Sequence, residues 1–180
     1  MAEKKVEQQK RMKEILRRLH ADYPDAECSL FFKSPFQLLI ATILSAQCTD
    51  DRVNQVTPAL FARFPGPKEM SSATLSELEE LIRTTGFYKN KAKSIKECST
   101  TLVDKYQGKV PKDLEALTHL RGVGRKTANV VLGVAYGIPG LVVDTHVGRI
   151  SRRMGFTKQQ DAVKVEHEMM EIVPKEEWIQ

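Results

Sequence analysis

The sequence predicts an all-α fold, and three observations lead to this prediction. Apolar residues recur at helical spacing along most of the 180 residues. Serine, threonine and aspartate stand where caps would begin helices, and glycine stands where several helices would end. Only residues 141–143 look extended, and three residues do not form a sheet.

Three helices are predicted in the first part of the chain. An amphipathic helix covers residues 6–20, with its apolar side chains on one face. Ser34 followed by Pro35 predicts a capped start for an apolar helix over residues 36–46, because proline suits the first helical position. Asp50 can cap the next helix.

The rest of the chain continues the helical pattern. Thr74 and Glu77 have the spacing of a capping box, and Gly86 ends the helix that they begin. The other predicted helices cover residues 88–106, 112–120, 126–136, 144–154 and 159–172. Residues 175–180 resemble the start of one more helix that is cut off.

The length allows one domain or two small lobes. The Gly-Ile-Pro-Gly break at residues 137–140 is the best candidate for a lobe boundary. We therefore expect residues 28–138 to form a central helical-bundle domain and residues 1–27 with 139–180 to form a second helical lobe.

Composition excludes several classes of protein. No apolar run approaches the roughly 20 residues that cross a bilayer, and no secretion signal is visible, so we expect an intracellular protein without a membrane partner. The cysteines are odd in number, and neither they nor the four histidines have the spacing of a metal site. We expect no metal ligands among them. The cysteines are Cys28, Cys48 and Cys98.

The net charge is +5, and its distribution is more informative than its size. Residues 83–96 contain five basic side chains and no acidic one. These are Arg83, Lys89, Lys91, Lys93 and Lys96. Such a run is typical of nucleic-acid binding. A solvated helix face would explain it equally well.

A Gly-Val-Gly turn lies between two predicted helices, at Gly122 and Gly124, and Lys126 follows it. Glycines permit a tight turn and a close approach to a ligand, and the following helix start favours a phosphate. This is a helix-hairpin-helix signature. A Walker A loop is excluded because Arg125 separates the glycine from the lysine and His119 stands where its first glycine belongs. A plain structural turn remains an alternative.

Two residues near this turn could carry chemistry. Lys126 is either a phosphate contact or an amine nucleophile, because the positive end of a helix dipole disfavours an ammonium ion. Asp144, eighteen positions later, is either a helix N-cap or a catalytic carboxylate. An N-cap carboxylate keeps a second oxygen, so geometry permits both roles.

Four motifs together resemble endonuclease III, in the helix-hairpin-helix superfamily of DNA glycosylases. They are Leu-x-Gly-Val-Gly-Arg-Lys-Thr-Ala at 120–128, Val-Asp-Thr-His-Val-x-Arg at 143–149, Ala-Gln-Cys-Thr-Asp at 46–50 and Gly-Phe-Tyr-x-Asn-Lys-Ala at 86–92. The resemblance spans nearly the whole chain. It implies two lobes with the active site in the cleft between them.

The resemblance implies a bifunctional glycosylase and abasic-site lyase of base excision repair, a monomer acting on duplex DNA that carries oxidised pyrimidines or abasic sites. Lys126 would be the nucleophile and Asp144 the carboxylate that assists it. Gln47 and Phe87 would fill the gap left by a flipped nucleotide, although Phe87 could also be an ordinary core aromatic. The other implied DNA-binding residues are Lys91, Arg121, Gly122, Val123, Gly124, Arg125 and Thr127.

The family usually ends in a loop of four cysteines that holds a 4Fe-4S cluster, and this chain stops before that loop. We expect no cofactor in this chain, and the cluster only if a four-cysteine segment exists beyond residue 180. Two alternatives stay open. One is a catalytically weak or inactive helix-hairpin-helix DNA-binding module. The other is a monofunctional glycosylase for mismatched or alkylated bases, against which Lys126 argues.

Overall fold

A computed structural model describes residues 5–178 of the chain, and the regular secondary structure of these residues is entirely helical. The α-helices are α1 Lys5–Asp22, α2 Pro35–Leu44, α3 Asp50–Arg63, α4 Pro67–Ser72, α5 Leu75–Ile82, α6 Tyr88–Tyr106, α7 Leu114–Thr118, α8 Arg125–Tyr136, α9 Thr145–Arg153 and α10 Ala162–Met170. Short 3₁₀ helices cover Arg83–Thr85 and Lys175–Glu177. Residues 5–178 contain no strand, so the predicted all-α fold is confirmed.

The chain divides into two compact units. One is Ser29–Tyr136, and the other combines Met1–Cys28 with Gly137–Gln180. Residues 1–4 and 179–180, which belong to the second lobe and to the helical start predicted from the sequence, lie outside the described residues.

The unit Ser29–Tyr136 is built around α2. Ser34 caps this helix by accepting a hydrogen bond from the Gln37 amide at 3.2 Å, and Pro35 occupies its first turn, as predicted. Its residues are apolar on nearly all sides, and such a helix is stable only when it is covered. Helices α3, α6 and α8 pack against it. The helices that carry the site residues of this unit are therefore packed against a common buried helix.

The other unit has its own apolar core, formed by α1, α10 and the segments that flank α9. Its buried members are Met12, Val143, Phe156, Val165, Met169, Ile172 and Val173. The Arg11 guanidinium lies 4.2 Å from the centre of the Phe156 ring and donates to the Met154 carbonyl at 2.8 Å. These contacts tie the start of the chain to its C-terminal segment.

The cap predicted at Asp50 is wrong, because Thr49 caps α3 by accepting a hydrogen bond from the Arg52 amide at 3.4 Å, and Asp50 is the first residue of that helix.

Two other predicted helices begin two or three residues later than expected, each directly after an aspartate cap. The helix expected over residues 112–120 is α7, because Asp113 accepts a hydrogen bond from the Ala116 amide at 2.8 Å. The helix expected over residues 159–172 is α10, because Asp161 accepts from the Lys164 amide at 3.0 Å. In the described part of the chain, no helix has the length and apolar character that a membrane span requires.

Candidate functional site

The Gly-Val-Gly segment forms a hairpin between α7 and α8. Leu120 and Val123 are buried on either side of Gly122, and the Val123 amide donates to the Leu120 carbonyl at 3.1 Å. These apolar side chains anchor the turn in the core, while Gly122 and Gly124 stay exposed. The helix-hairpin-helix predicted from the sequence is present.

The two glycines meet different needs. Gly122 has a φ of +81°, and a Cβ there would lie 2.9 Å from the Cβ of Ser94 and 3.3 Å from a methyl group of Ile43. Another residue would therefore strain the backbone and push the hairpin away from α6. A Cβ at Gly124 would meet no atom within 4 Å. Gly124 thus faces open space, where a ligand can approach the backbone.

Lys126 lies in the first turn of α8, as the sequence predicted, and it is exposed in the structure. The first hydrogen bond inside this helix runs from the Ala128 amide to the Gly124 carbonyl at 2.9 Å. The amides of a first helical turn have no acceptor inside the helix and carry the positive end of its dipole. The start of α8 therefore presents the amine of Lys126 beside a terminus that favours anions.

Three other predicted DNA-binding residues surround this terminus. Arg121 is exposed, and its guanidinium lies 3.9 Å from a carboxylate oxygen of Glu97, a distance at which an exposed pair contributes little stability. Arg125 and Thr127, in the first turn of α8, are half-buried.

Asp144 caps α9 in the other unit, with one carboxylate oxygen. Its Oδ1 accepts hydrogen bonds from the His146 amide at 2.9 Å and the Val147 amide at 2.8 Å. The N-cap interpretation is therefore correct. Since both bonds end on Oδ1, capping does not require Oδ2, and the structural role leaves room for a chemical one.

Gln47 and Phe87 are exposed, and both have left-handed backbones. Gln47 follows the end of α2 with a φ of 52°, and Phe87 precedes α6 with a φ of 47°. Phe87 is 66% exposed, which contradicts the alternative that it is an ordinary core aromatic. A left-handed backbone costs a non-glycine residue on the order of 1–3 kcal/mol, and it persists where the surrounding structure enforces it. Strained residues of this kind are found at functional sites and also at ordinary helix ends, such as Gln107 after α6.

A cavity of about 220 Å³ lies between these two exposed residues. It brings together the predicted residues Gln47, Phe87, Lys91 and Gly122. Its other lining residues are Ile43, Ala46, Asn90 and Ser94. Asn90 and Ser94 were not predicted, although they lie on the same side of α6 as Lys91 and this spacing could have identified them.

The structure contradicts the prediction that Lys91 contacts DNA. Its side chain is buried, with the residue 6% exposed, and its Nζ donates to the carbonyls of Leu44 at 2.8 Å and Thr85 at 2.7 Å. Burial lowers the pKa of Lys91. A buried ammonium bound to two carbonyls does not present itself to a phosphate. Lys91 therefore makes hydrogen bonds inside the protein instead of the predicted contact with DNA.

The 4Fe-4S cluster implied by the resemblance would need four cysteine thiolates. Within residues 5–178, no group of three or more His, Cys, Asp or Glu side chains could hold a metal ion. Cys98 is buried in α6, and burial raises its pKa to about 12, which favours the thiol over the thiolate. The described residues therefore do not fit this cluster.

Comparison with known proteins shows which proteins this chain is similar to. The HhH-GPD superfamily of base excision DNA repair proteins matches residues 40–175. Endonuclease III from Synechocystis sp. is 49% identical over 176 residues, which cover 97% of this chain and 80% of that protein.

Two solved structures are similar over 95% of this chain, each with a TM-score of 0.90. One is a non-covalent endonuclease III–DNA complex, 47% identical, of which 80% is covered. The other is a trapped endonuclease III–DNA covalent intermediate with an estranged adenine, 48% identical, of which 81% is covered.

Proposed function

The chain belongs to the HhH-GPD superfamily of base excision DNA repair proteins and is an endonuclease III-like DNA glycosylase, and we propose that it also cleaves the DNA strand. In this proposal it removes oxidised pyrimidines from duplex DNA and nicks the strand 3′ to the resulting abasic site. The observation that carries the proposal is the exposed Lys126 at the start of α8, directly after the Gly-Val-Gly hairpin. The related structure of a covalent protein–DNA intermediate supports a nucleophile in the reaction.

The hairpin binds the DNA backbone. A phosphate lies against Gly124, where the backbone faces open space, and the start of the α8 dipole stabilises its charge. Arg121 and Arg125 add positive charge near the same phosphate, and Thr127 adds a hydroxyl donor. Val123 acts indirectly, since its buried side chain anchors the turn. These contacts carry no sequence information, which suits an enzyme that finds damage anywhere.

The damaged nucleotide leaves the base stack before the chemistry begins, and a weakly paired base leaves at lower cost. Phe87 then enters the gap as a stacking wedge, and Gln47 offers a donor and an acceptor to the orphaned base. The exposure and the left-handed backbones of both residues support this role.

The amine of Lys126 attacks C1′ of the flipped nucleotide, and the base departs with the electron pair of the glycosidic bond. Positive charge develops on the sugar during this step, and the carboxylate of Asp144 stabilises it. The sugar ring opens to a Schiff base, which acidifies the C2′ proton. Loss of that proton expels the 3′ phosphate by β-elimination, and water then releases the enzyme.

We further propose that the protein acts as an intracellular monomer. Gel filtration would reveal any larger assembly.

A nicking assay tests the proposed function against its alternatives. Three labelled duplexes carry thymine glycol, a G·T mismatch or an abasic site. We expect nicks at thymine glycol and at the abasic site without added base. Nicks on the G·T duplex that appear only after hot alkali would instead indicate a monofunctional glycosylase, and binding without any cleavage would indicate a DNA-binding module.

Alanine substitutions at Gln47 and Phe87, which we call the wedge residues, test their role in filling the gap. We expect Gln47→Ala and Phe87→Ala each to lower affinity for a duplex with an abasic-site analogue by about tenfold, because each removes a group that fills the gap. Affinity for the undamaged duplex should change by less than about twofold, since no gap is present there. Fluorescence anisotropy measures both affinities. Equal losses on the two duplexes would contradict the wedge role.

A further inference from the structure

A buried lysine connects the two segments that carry Gln47 and Phe87. The Nζ of Lys91 donates to the carbonyl of Leu44, the last residue of α2, and to that of Thr85, the last residue of a 3₁₀ helix. Leu44 lies three positions before Gln47, and Thr85 lies two positions before Phe87. One ammonium group therefore forms hydrogen bonds to the backbone just before each of these two residues.

Both carbonyls belong to residues that are almost completely buried, since Leu44 is 0% and Thr85 is 1% exposed. Carbonyls at the end of a helical segment have no amide donor within the helix and carry the negative end of its dipole, so a cation is favourable there. Hydrogen bonds from a charged donor are also stronger than neutral ones. Removing the donor would leave buried carbonyls without this hydrogen bond, which is costly.

Lys91 reaches the Phe87 segment in a second way. Its backbone amide donates to the Phe87 carbonyl at 3.0 Å, in the first turn of α6. The strained backbone of Phe87 is therefore held between this bond and the side-chain bond to Thr85. On the other side, the Cys48 amide donates to the Ser45 carbonyl at 3.0 Å and closes the turn that contains Gln47. A left-handed residue persists only where such contacts determine it.

We propose that Lys91 is a positioning residue that holds the Gln47 and Phe87 segments in one geometry, so that both side chains enter the DNA gap together. Lys91 acts through these two neighbours and does not touch the DNA. This inference rests on the proposed function, because the wedge role gives the geometry its use. The ammonium group of Lys91, which does not contact DNA, thereby has a function.

Hydrogen exchange in the DNA-free protein tests the structural part of this proposal. Methionine keeps most of the lysine stem and has no donor, so Lys91→Met isolates the two hydrogen bonds. We expect amide exchange at positions 48 and 91 to accelerate by about tenfold or more, with no change at Phe64, whose amide bonds to Leu60 at the end of α3. Unchanged exchange at positions 48 and 91 would overturn the proposal.

Lys96→Met is the matched control. Lys96 lies on the same helix, and its Nζ also donates to a backbone carbonyl, that of Ala73. The control therefore removes the same charge and the same kind of bond away from the wedge segments. Equal acceleration in both variants would overturn the proposal. Where Lys91→Met does not fold, Lys91→Leu, which also lacks a donor, carries the same measurement with the same deciding outcomes.

A double-mutant cycle tests whether Lys91 acts through the wedge. In the wild-type background we expect Lys91→Met to lower the preference for an abasic-site analogue over undamaged duplex by about tenfold. In a Gln47→Ala/Phe87→Ala background we expect a loss below about twofold, because the groups that Lys91 positions are gone. Lys91→Arg keeps the cation and its donors, and it should lose less than about threefold. Equal losses in both backgrounds would mean a general role in stability and would overturn the proposal.

The two sets of measurements separate this inference from the function on which it rests. If the wild-type protein binds damaged and undamaged duplexes equally, the proposed wedge function fails. Hydrogen exchange still decides whether Lys91 positions the two segments, since it requires no DNA.

Discussion

Replacing Lys126 by alanine should abolish strand cleavage while leaving DNA binding largely intact. Without the amine no Schiff base forms, so borohydride should trap no protein on DNA that contains an abasic site. We expect nicking at abasic sites to fall by about 10³-fold or more. Affinity for an abasic-site analogue should stay within about tenfold of wild type, because the hairpin and the wedge residues are retained. Gel assays measure the trapped and the nicked products, and fluorescence anisotropy measures the affinity.

Lys158→Ala is the control for this experiment. Lys158 is an exposed lysine of the other unit, and its replacement removes the same charge. It should trap and nick like wild type. Trapping of the Lys126→Ala protein at the wild-type level would show that another amine is the nucleophile. The proposed mechanism would then be wrong.

Asp144→Asn should separate the chemical role of this residue from its role as a helix cap. Asparagine caps helices about as well as aspartate, so the free energy of unfolding should change by less than about 0.5 kcal/mol. The negative charge is lost, and with it the stabilisation of positive charge on the sugar. We expect the single-turnover rate of base removal to fall by about 100-fold or more.

Asp144→Ala supplies the comparison, because it removes the charge and the cap together. It should lose about 1 kcal/mol of folding free energy, since the amides of His146 and Val147 lose their acceptor. Its rate of base removal should be about as low as that of Asp144→Asn. An Asp144→Asn protein with wild-type activity would leave Asp144 with the structural role alone.

Most helix boundaries were predictable because they depend on neighbouring residues. Thr74 and Glu77 form the predicted capping box, with each side chain bonded to the other's backbone amide. Ser34 caps α2 and Asp144 caps α9 within three residues along the chain. The errors came from the same physics, because Asp113 and Asp161 begin their helices later than the apolar pattern indicated. The short helix α4, Pro67–Ser72, was not predicted, since six residues carry too little periodicity.

The sequence by itself determined the hairpin, the first-turn position of Lys126 and the capping position of Asp144. Each depends on local backbone geometry, such as the positive φ that Gly122 adopts. Only the tertiary structure decided the burial of Lys91 and the exposure of Phe87. Lys91 reaches a carbonyl 47 positions away, and no local pattern reports such a partner. Helical spacing tells which residues share a face, but whether that face is covered depends on segments distant in the chain.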